Sequence, residues 1–290
     1  MTLKPSLDPR RNAFRPDLAA EALRGRVDAP RFEAGRSGRI ARPVVPLRKV
    51  PQPSAALETE ALFGEPLTVF EVAGGWAWVQ LAGDGYVGYL PADTVTYELQ
   101  PATHKVKAIG TFLYAVPEIK SPPLMHLSLG AQLAVTETED RFYRLATGGY
   151  VISRHVAELG WADRDFVEVA ERLLGAPYLW GGKTRIGLDC SALVQLSLAA
   201  CGIAAPRDSD MQRDELGEAV LIPDDLEGFQ RGDLMFWPGH VGIMSDGIML
   251  LHANAHHMAV AIEPLPEAAA RIQGTGSALV AVKRLPSRTG

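Results

Sequence analysis

The sequence predicts an α+β protein in which two small β-barrels precede a domain of helices and strands. Three observations lead to this prediction. Short β-rich segments separated by turn residues fill the region from about residue 59 to residue 159. An apolar helical run over residues 192–200 follows Cys190, and further β-rich segments begin near Gly232. The length of 290 residues suits two or three domains rather than one.

The N-terminal residues, 1–53, are predicted to be an arm and a linker. Residues 17–24 are compatible with one short helix, and residues 44–53 have the prolines of an extended linker. Residues 1–50 carry 12 Lys and Arg against 5 Asp and Glu, but prolines and acidic residues interrupt this basic region and it lacks aromatic stacking platforms. We therefore expect a segment that packs on the other domains, and no nucleic-acid partner.

Two successive barrels are predicted from the β-rich region. The first is assigned to residues 54–100 and the second to residues 101–160. In the first, three candidate strands are split by glycine-containing turns: 67–70, 76–80 and 86–90. In the second, the candidate strands are 111–114, 132–135, 142–145 and 149–152. The pattern of the second stretch is looser, which indicates a diverged tandem pair.

The last domain is assigned to residues 161–290 and contains one cysteine in a reactive context. It opens with an amphipathic helix over residues 164–174. Cys190 stands at the start of the next helix, where free N–H groups and a partial positive charge favour a thiolate. We therefore expect a thiol pKa below the ~8.5 of a free cysteine. Cys201 is typical of an inert core cysteine, which is also the alternative interpretation of Cys190.

Two histidines are predicted to face each other on a hairpin. Residues 241–244 and 248–251 are apolar runs around a turn at Asp246, and His240 and His252 lie six residues on either side of it. If the turn is centred there, the two imidazoles stand opposite each other, so that one can act as base and the other can orient it. His256 and His257 are expected at the surface. Metal is disfavoured because no Cys-x-x-Cys or His-Glu-x-x-His pattern is present.

Residues 165–285 resemble the NlpC/P60 family of papain-like cell-wall peptidases. The shared motifs occur in the family's order: PYLWGG (177–182), DCS (189–191), RGD (231–233), GHVG (239–242) and HA (252–253). Ala192 stands where the family commonly has Gly. The first barrel resembles the bacterial SH3 domains that accompany this family, at LFGE (62–65) and DGYVGY (84–89). The resemblance implies a papain-like NlpC/P60 catalytic domain behind two small SH3-like β-barrels.

The resemblance also implies a mechanism. Cys190 attacks an amide carbonyl, His240 acts as its base, and His252 orients His240. The backbone N–H of Cys190 stabilises the oxyanion, and the hydroxyl of Tyr178 is a candidate second donor. Core packing is the alternative role for Tyr178. No cofactor and no metal are expected.

The two SH3-like modules resemble the subfamily that cuts the bond between γ-D-glutamyl and a diamino acid. The substrate then has a free N-terminal L-alanine, whose ammonium needs carboxylate and hydroxyl partners. The resemblance assigns this role to Asp189, Ser209, Glu65 and Tyr86, and Ser191 is a further candidate substrate-binding residue. Alternatives are a helix cap for Asp189 and for Ser191, and ordinary barrel-surface positions for Glu65 and Tyr86.

The expected substrate carries carboxylates, so a cationic side chain is expected near them. Three residues in adjacent loops are candidates, and each is equally compatible with an ordinary surface charge: Arg207, Lys183 and Arg185.

The location in the cell is predicted from the N-terminus, the apolar runs and the number of cysteines. Residues 1–10 lack the apolar segment of a secretory signal, and no run approaches the roughly 20 apolar residues of a membrane-spanning helix. Two cysteines do not make a disulfide framework. A cytoplasmic protein without membrane insertion is expected, and it would meet only small imported wall fragments.

The leading hypothesis is a cysteine endopeptidase that recycles murein tripeptides or tetrapeptides. Three alternatives stay open: a hydrolase of polymeric wall peptide, a non-catalytic wall-peptide-binding protein, and an acyltransferase that uses the same thioester chemistry. The sequence leaves the preferred diamino acid, the oligomeric state and the role of residues 1–50 undecided.

Overall fold

The computed structural model describes residues 7–98 and 100–286. Expectations that fall on residues 1–6, 99 and 287–290, at the ends of the predicted domains, lie outside the described residues. The chain divides into two compact units, Met1–Leu159 and Gly160–Gly290. The first is β-rich, and the second combines helices with one large sheet, so the predicted α+β class with an SH3-like N-terminal region is confirmed.

The first unit is built from short strands. In chain order they are β1 (Phe14–Arg15), β2 (Leu18–Ala20), β3 (Arg31–Glu33), β4 (Arg36–Ile40), β5 (Val44–Arg48), β6 (Leu57–Leu62), β7 (Pro66–Ala73), β8 (Trp76–Leu81), β9 (Val87–Pro91), β10 (Val95–Thr96), β11 (His104–Val106), β12 (Gly110–Tyr114), β13 (Pro123–Ser128), β14 (Gln132–Leu133), β15 (Val135–Glu139), β16 (Phe142–Leu145), β17 (Tyr150–Ile152) and β18 (Val156–Glu158). Single 3₁₀ turns lie at Glu21–Leu23, Ala92–Thr94 and Ser153–His155.

The first barrel is a seven-stranded sheet in the order β10-β4-β7-β8-β9-β5-β6. It includes β5, which the sequence analysis assigned to an extended linker, and that prediction was wrong. Val45 and Leu47 are buried in the barrel core, whereas Pro46 between them is only partly buried. The two-residue alternation of apolar side chains therefore decides the structure here, and the prolines do not prevent strand pairing.

The helix predicted over residues 17–24 was also wrong. Residues Leu18–Ala20 form β2, which pairs with β1 and β3, and only the 3₁₀ turn Glu21–Leu23 is helical. Leu18 and Leu23 pack with Trp78 in a small core between this segment and the barrel. Tertiary burial thus overrides the helix propensity of leucine and alanine.

The second barrel-like stretch has its own core. A five-stranded sheet, β13-β12-β17-β16-β15, accompanies a three-stranded sheet, β14-β11-β18. Its buried side chains form a cluster separate from that of the first barrel. They include Val106, Leu127, Leu133 and Val151, each at most 1% exposed.

The second unit places four helices around a six-stranded sheet in the order β21-β26-β22-β23-β24-β25. Its elements are α1 (Phe166–Glu171), β19 (Lys183–Thr184), β20 (Gly187–Leu188), α2 (Cys190–Ala200), α3 (Ser209–Glu215), β21 (Glu218–Val220), β22 (Leu234–Trp237), β23 (His240–Met244), β24 (Met249–Asn254), β25 (Ala259–Pro264), α4 (Leu265–Gly274) and β26 (Ala281–Arg284). Within the described residues, no helix is long and apolar enough to cross a membrane.

Helix α2 is the central helix of this unit and packs on β23 and β24. Leu193, Val194 and Leu198 are fully buried, so the helix is held on several sides. This burial explains why its apolar run shows no clear polar face. The packing fixes the N-terminus of α2, where Cys190 lies, beside the strands that carry the two histidines.

Candidate active site

The N-terminus of α2 is organised by Asp189. Its side chain caps the helix by accepting the Ala192 N–H at 2.8 Å. The same carboxylate accepts the Gly181 N–H at 2.9 Å, which ties the glycine loop to the helix. Gly181 has φ of +75°, a conformation that favours glycine. The cap predicted for Asp189 is confirmed, and the helix begins at Cys190, two residues earlier than the apolar run suggested.

Asp189 is part of a buried ion pair with Arg207. The side chains of Arg207 and Asp189 are 1% and 11% exposed, and the pair is bidentate, with N···O distances of 2.9 and 2.7 Å. Arg207 also donates to the hydroxyl of Ser191 at 2.8 Å and approaches the carbonyl of Gly182 at 3.3 Å. Arg207 is therefore not an ordinary surface charge. It orients the carboxylate of Asp189 next to Cys190 in the chain, and a contact with substrate carboxylates stays a prediction.

The thiol of Cys190 lies in a buried, largely neutral environment. Cys190 is 6% exposed. Burial, followed by the negative charge of Asp189, raises the pKa of its thiol to about 12, although backbone N–H groups of Val241 and Ser191 hydrogen bond to the sulfur and lower it. The expectation of a pKa below that of a free cysteine was wrong. The helix N-terminus alone does not overcome the loss of water.

The hydrogen bond from Val241 places the sulfur beside the strand that begins with His240. The Nε2 atom of His240 lies 2.8 Å from Nδ1 of His252, so the predicted histidine pair is brought together. Burial lowers the pKa of each imidazole to about 3, with the neighbouring His252 contributing for His240 and Arg271 contributing for His252. The resting site is therefore a neutral thiol beside two neutral imidazoles.

The register of the hairpin differs from the predicted one. Ile243 pairs with Leu251 and Met244 with Leu250, so the turn is centred on Gly247 rather than Asp246. His240 and His252 are therefore diagonal neighbours on one face and not directly opposite residues. The one-position error arose because the carboxylate of Asp246 accepts the N–H groups of Ile248 and Met249, which places the turn later in the chain.

Small residues flank His252 on both neighbouring strands. A Cβ on Gly242 would lie 3.3 Å from the Cβ of His252 and 2.7 Å from Leu250 Cδ1. On the other side, His252 pairs directly with Ala261 in β25. Neither neighbour fills the space beside the imidazole, which is fully buried. The ring can therefore reach diagonal partners on both strands.

The diagonal partner on β25 is Glu263, a residue that the sequence analysis missed. Its Oε1 lies 2.7 Å from Nε2 of His252. Both carboxylate oxygens are also paired with Arg271 of α4, with Nη1 at 3.0 Å from Oε2. The available signal was a lone carboxylate in the apolar strand AVAIEP (259–264), at the parity of the His252 face. His256 and His257 are exposed, as expected.

Tyr178 lies near the thiol. Burial, and then Cys190 and Asp189, raise the pKa of its phenol to about 12. The hydroxyl therefore stays protonated and can donate a hydrogen bond. This environment is compatible with the predicted oxyanion donor, whose role stays a prediction.

The remaining predicted residues of the second unit have different surroundings. Ser191 donates its hydroxyl to Asp189 at 3.2 Å and so belongs to the Arg207 network. Ser209 is half-buried at the first position of α3. Lys183 is buried and Arg185 is exposed, so the surface-charge interpretation is wrong for Lys183 and correct for Arg185.

Glu65 and Tyr86 belong to the first unit. Tyr86 is 2% exposed and lies in the core cluster of the first barrel. Glu65 is 9% exposed, and its carboxylate accepts the Leu62 N–H at 2.9 Å. Neither is an ordinary barrel-surface residue. Their contact with the substrate ammonium stays a prediction.

Comparison with known proteins identifies two domain families in the chain. Residues 47–95 match the model of the bacterial dipeptidyl-peptidase SH3 domain, and residues 175–273 match that of the NlpC/P60 family. Dipeptidyl-peptidase 6 of Lysinibacillus sphaericus is 27% identical over 75% of this chain and 87% of that protein. A γ-D-glutamyl-L-lysine dipeptidyl-peptidase of Bacillus cereus is 29% identical over 71% of this chain and 65% of its own length.

A solved structure agrees with the fold. The crystal structure of an NlpC/P60 family protein from Bacillus cereus superposes with a TM-score of 0.71, covers 86% of this chain and 100% of that chain, and is 23% identical in sequence. The SH3 match starts at residue 47, inside the segment first interpreted as a linker. The chain thus carries a domain of the NlpC/P60 family preceded by a bacterial SH3 domain.

Proposed function

We propose that this protein is a cysteine endopeptidase that hydrolyses the γ-D-glutamyl–diamino acid bond of murein peptides with a free N-terminal L-Ala. One observation carries the cysteine chemistry. A thiol at the start of a buried helix accepts the N–H of Val241, the residue after His240, and Nε2 of His240 lies 2.8 Å from Nδ1 of the buried His252. The bond specificity is supported by relatives named γ-D-glutamyl-L-lysine dipeptidyl-peptidase.

The proposed reaction proceeds through a thioester. The Cys190 thiol gives its proton to His240 as the sulfur attacks the amide carbonyl and the C–S bond forms. The C–N bond then breaks, and the imidazolium returns the proton to the leaving amine. Water, deprotonated by the same imidazole, hydrolyses the thioester and restores the thiol. Because the resting pair is neutral, proton transfer accompanies attack in this scheme and does not precede it.

Recognition of the free amine is the second part of the proposal. Asp189 is already balanced by Arg207, so an ammonium bound there benefits from a further carboxylate. The family resemblance assigns that task to Glu65, together with Tyr86 and Ser209. Glu65→Gln preserves an oxygen that can accept the Leu62 N–H but removes the charge, so we expect a higher KM with little change in Tm.

Paired substrates test the proposal. The full chain is incubated with L-Ala-γ-D-Glu-diamino acid and with its N-acetylated form, and products are identified by mass spectrometry. We expect cleavage of the free-amine peptide at the γ-glutamyl bond and poor cleavage of the acetylated one. Equal cleavage of both, with Glu65→Gln behaving as wild type, would contradict the amine-recognition part.

Cys190→Ala tests the nucleophile. We expect hydrolysis to be lost while Tm stays close to that of the wild type. Cys201→Ala is the matched control, because Cys201 is the second buried cysteine and lies at the opposite end of α2. Near-wild-type turnover by Cys190→Ala would exclude the thioester route.

The two histidines provide a second test. His240→Ala removes the proton carrier and is expected to lower kcat by roughly 10²–10⁴-fold. His252→Ala removes the orienting partner and should cost less, although the effects of residues that act together are not additive. A larger loss for His252→Ala would reverse the assigned roles.

A cytoplasmic role in recycling wall peptides is part of the proposal. Cell fractionation with an antibody against the chain tests the location. The competing function is hydrolysis of polymeric wall peptide, and it predicts release of soluble peptides from purified sacculi. Activity on sacculi comparable with that on the free peptide would favour the competing function.

A further inference from the structure

The residues behind the histidine pair carry an inference that rests on the proposed function. We propose that Glu263, held by Arg271, is a positioning residue that sets the tautomers of both histidines, so that Nδ1 of His240 is the atom that takes the proton from Cys190. Nothing in the family motifs points to Glu263, because it lies on β25, beyond the last motif at residues 252–253.

The guanidinium of Arg271 has only hydrogen-bond donors. It pairs with both oxygens of Glu263, and the Glu263 side chain is 12% exposed. A carboxylate held in this way accepts hydrogen bonds and donates none. The Nε2 atom of His252, 2.7 Å from Oε1, therefore carries the proton of that contact.

The positions of the other ring protons of His252 and His240 follow from this contact. With a proton on Nε2, neutral His252 has an unprotonated Nδ1 that can only accept. His240 must therefore donate from its own Nε2, which lies 2.8 Å from that atom. Neutral His240 then has its lone pair on Nδ1. Burial keeps both rings neutral by lowering the pKa of each to about 3, so one tautomer per ring is selected.

A metal site is the competing interpretation of the same residues. Ligand atoms of His252, His257 and Glu263 lie within 4.8 Å of one another. However, the guanidinium of Arg271 already pairs with the carboxylate that a cation would need, and a second positive charge there would be repelled. His257 is also 3.8 Å from the carboxylate, beyond hydrogen-bond distance. These contacts favour orientation of His252 over binding of a metal ion.

Glu263→Leu tests the proposal because it removes the acceptor of the His252 proton. Nothing then selects the Nε2–H tautomer of His252, and His240 can carry its proton on Nδ1. We expect kcat to fall by roughly tenfold with KM nearly unchanged, since a wrong tautomer disables the base without altering substrate contacts.

A second variant separates tautomer control from simple structural support. Glu263→Gln keeps an oxygen at the position of Oε1, which accepts from Arg271 and from Nε2 of His252, and its NH₂ group takes the place of Oε2. The tautomers are then retained although the ion pair with Arg271 is lost, so we expect a higher kcat than in Glu263→Leu. A purely structural role of the ion pair predicts equal losses of kcat in the two variants. Glu267→Gln, on the exposed face of α4, is the matched control and should behave as wild type.

A readout that needs no turnover distinguishes failure of this inference from failure of the proposed function. Two-bond ¹H–¹⁵N correlation spectra of the ¹⁵N-histidine-labelled full chain identify the protonated nitrogen of each ring. We expect Nε2–H on both His240 and His252 in the wild type and in Glu263→Gln, and an added Nδ1–H population on both rings in Glu263→Leu. The charged or titratable groups around His252 are Glu263, Arg271, His256 and His257.

The outcomes are decisive in either direction. An Nδ1–H tautomer of His240 in the wild type, or unchanged spectra and kcat in Glu263→Leu, would overturn the inference. Tight zinc binding that is lost in both Glu263→Gln and His257→Ala would overturn it in favour of the metal site. If the spectra match while Cys190→Ala still hydrolyses the peptide, the tautomer assignment stands and only the proposed function fails.

Discussion

Two arginine–carboxylate pairs support the site, one beside the thiol and one behind the base, and they differ in burial. Arg207 is 1% exposed and pairs with Asp189, whereas Arg271 is 26% exposed and pairs with Glu263. Asp189 also accepts two backbone N–H groups, from Gly181 and Ala192. The Asp189–Arg207 pair therefore connects the glycine loop to the start of α2. Glu263 instead contacts the imidazole of His252, where we propose that it sets the position of the ring proton.

The difference shows that similar charged pairs contribute to different properties. A buried pair whose carboxylate caps a helix is expected to dominate stability, because breaking it leaves a charge without water or a partner. A partly exposed pair whose carboxylate contacts a histidine is expected to affect kcat more than stability. Water can replace part of the ionic interaction, but it cannot hold the carboxylate in the same orientation toward the imidazole. The following experiments test this contrast, from the largest expected effect to the smallest.

Arg207→Met should produce the largest change in stability. The variant leaves the carboxylate of Asp189 buried without its counter-charge, so we expect a loss of about 3–5 kcal/mol in the free energy of unfolding. Urea unfolding monitored by circular dichroism measures it. Arg213→Met is the control, since the Arg213 side chain is 38% exposed and pairs with its neighbour Asp214. A loss below about 1 kcal/mol for Arg207→Met would contradict the claim that the Asp189–Arg207 pair dominates stability.

Arg271→Met should change rate more than stability. Glu263 keeps its charge but loses the guanidinium that holds it toward His252. We expect roughly tenfold lower kcat from the loosened geometry, and a loss of about 1–3 kcal/mol in the free energy of unfolding. Steady-state kinetics and urea unfolding measure the two effects on one preparation. A stability loss equal to that of Arg207→Met would show that the two ion pairs contribute equally to the free energy of unfolding.

The protonation state of the resting site can be measured spectroscopically. The pKa of Cys190 is raised to about 12, so the thiolate forms only as the pH rises toward that value. The pKa of His240 is lowered to about 3, so its imidazole stays neutral as the pH falls through the ordinary histidine value of ~6.5. We expect no thiolate ultraviolet absorbance at pH 7 in a difference spectrum against Cys190→Ala. A thiolate band at neutral pH would indicate an ion pair instead.

Metal removal should have the smallest effect. The reaction proposed here uses a thiol and imidazoles, so treatment with a chelator should leave hydrolysis unchanged. Added zinc should not raise the rate. Loss of activity on chelation that zinc restores would support a metal bound near His252, His257 and Glu263.

Much of the fold could be predicted from the local pattern. The candidate strands over residues 76–80, 142–145 and 241–244 coincide closely with β8, β16 and β23, because alternating apolar residues and glycine turns are local signals. The errors lie where distant contacts decide the structure. Leu18–Ala20 became a strand by packing near Trp78, and Val44–Arg48 became a barrel strand despite its proline.

The site residues also differ in how well they could be predicted from the sequence. Cys190, His240 and His252 were found from motifs, since their chemistry is readable in residue type and spacing. The supporting residues were not assigned correctly. Arg207 was predicted to contact substrate carboxylates, with a surface charge as the alternative, and its buried pairing with Asp189 was not predicted. Glu263 and Arg271 were missed, because a single arginine or glutamate carries no signal of its burial or its partner.

The sequence by itself predicted the α+β class, the SH3-like and NlpC/P60 domains in their order, and Cys190, His240 and His252 as candidate site residues. These features depend on local periodicity and on residues whose types are rare outside such sites. Only the tertiary structure decided the protonation of the thiol, the diagonal register of His240 and His252, and the extension of the network to Glu263. Each of these depends on burial and on strand pairing between distant segments, because the free energy of a charge or a proton is set by what surrounds it in space and not by its neighbours in the chain.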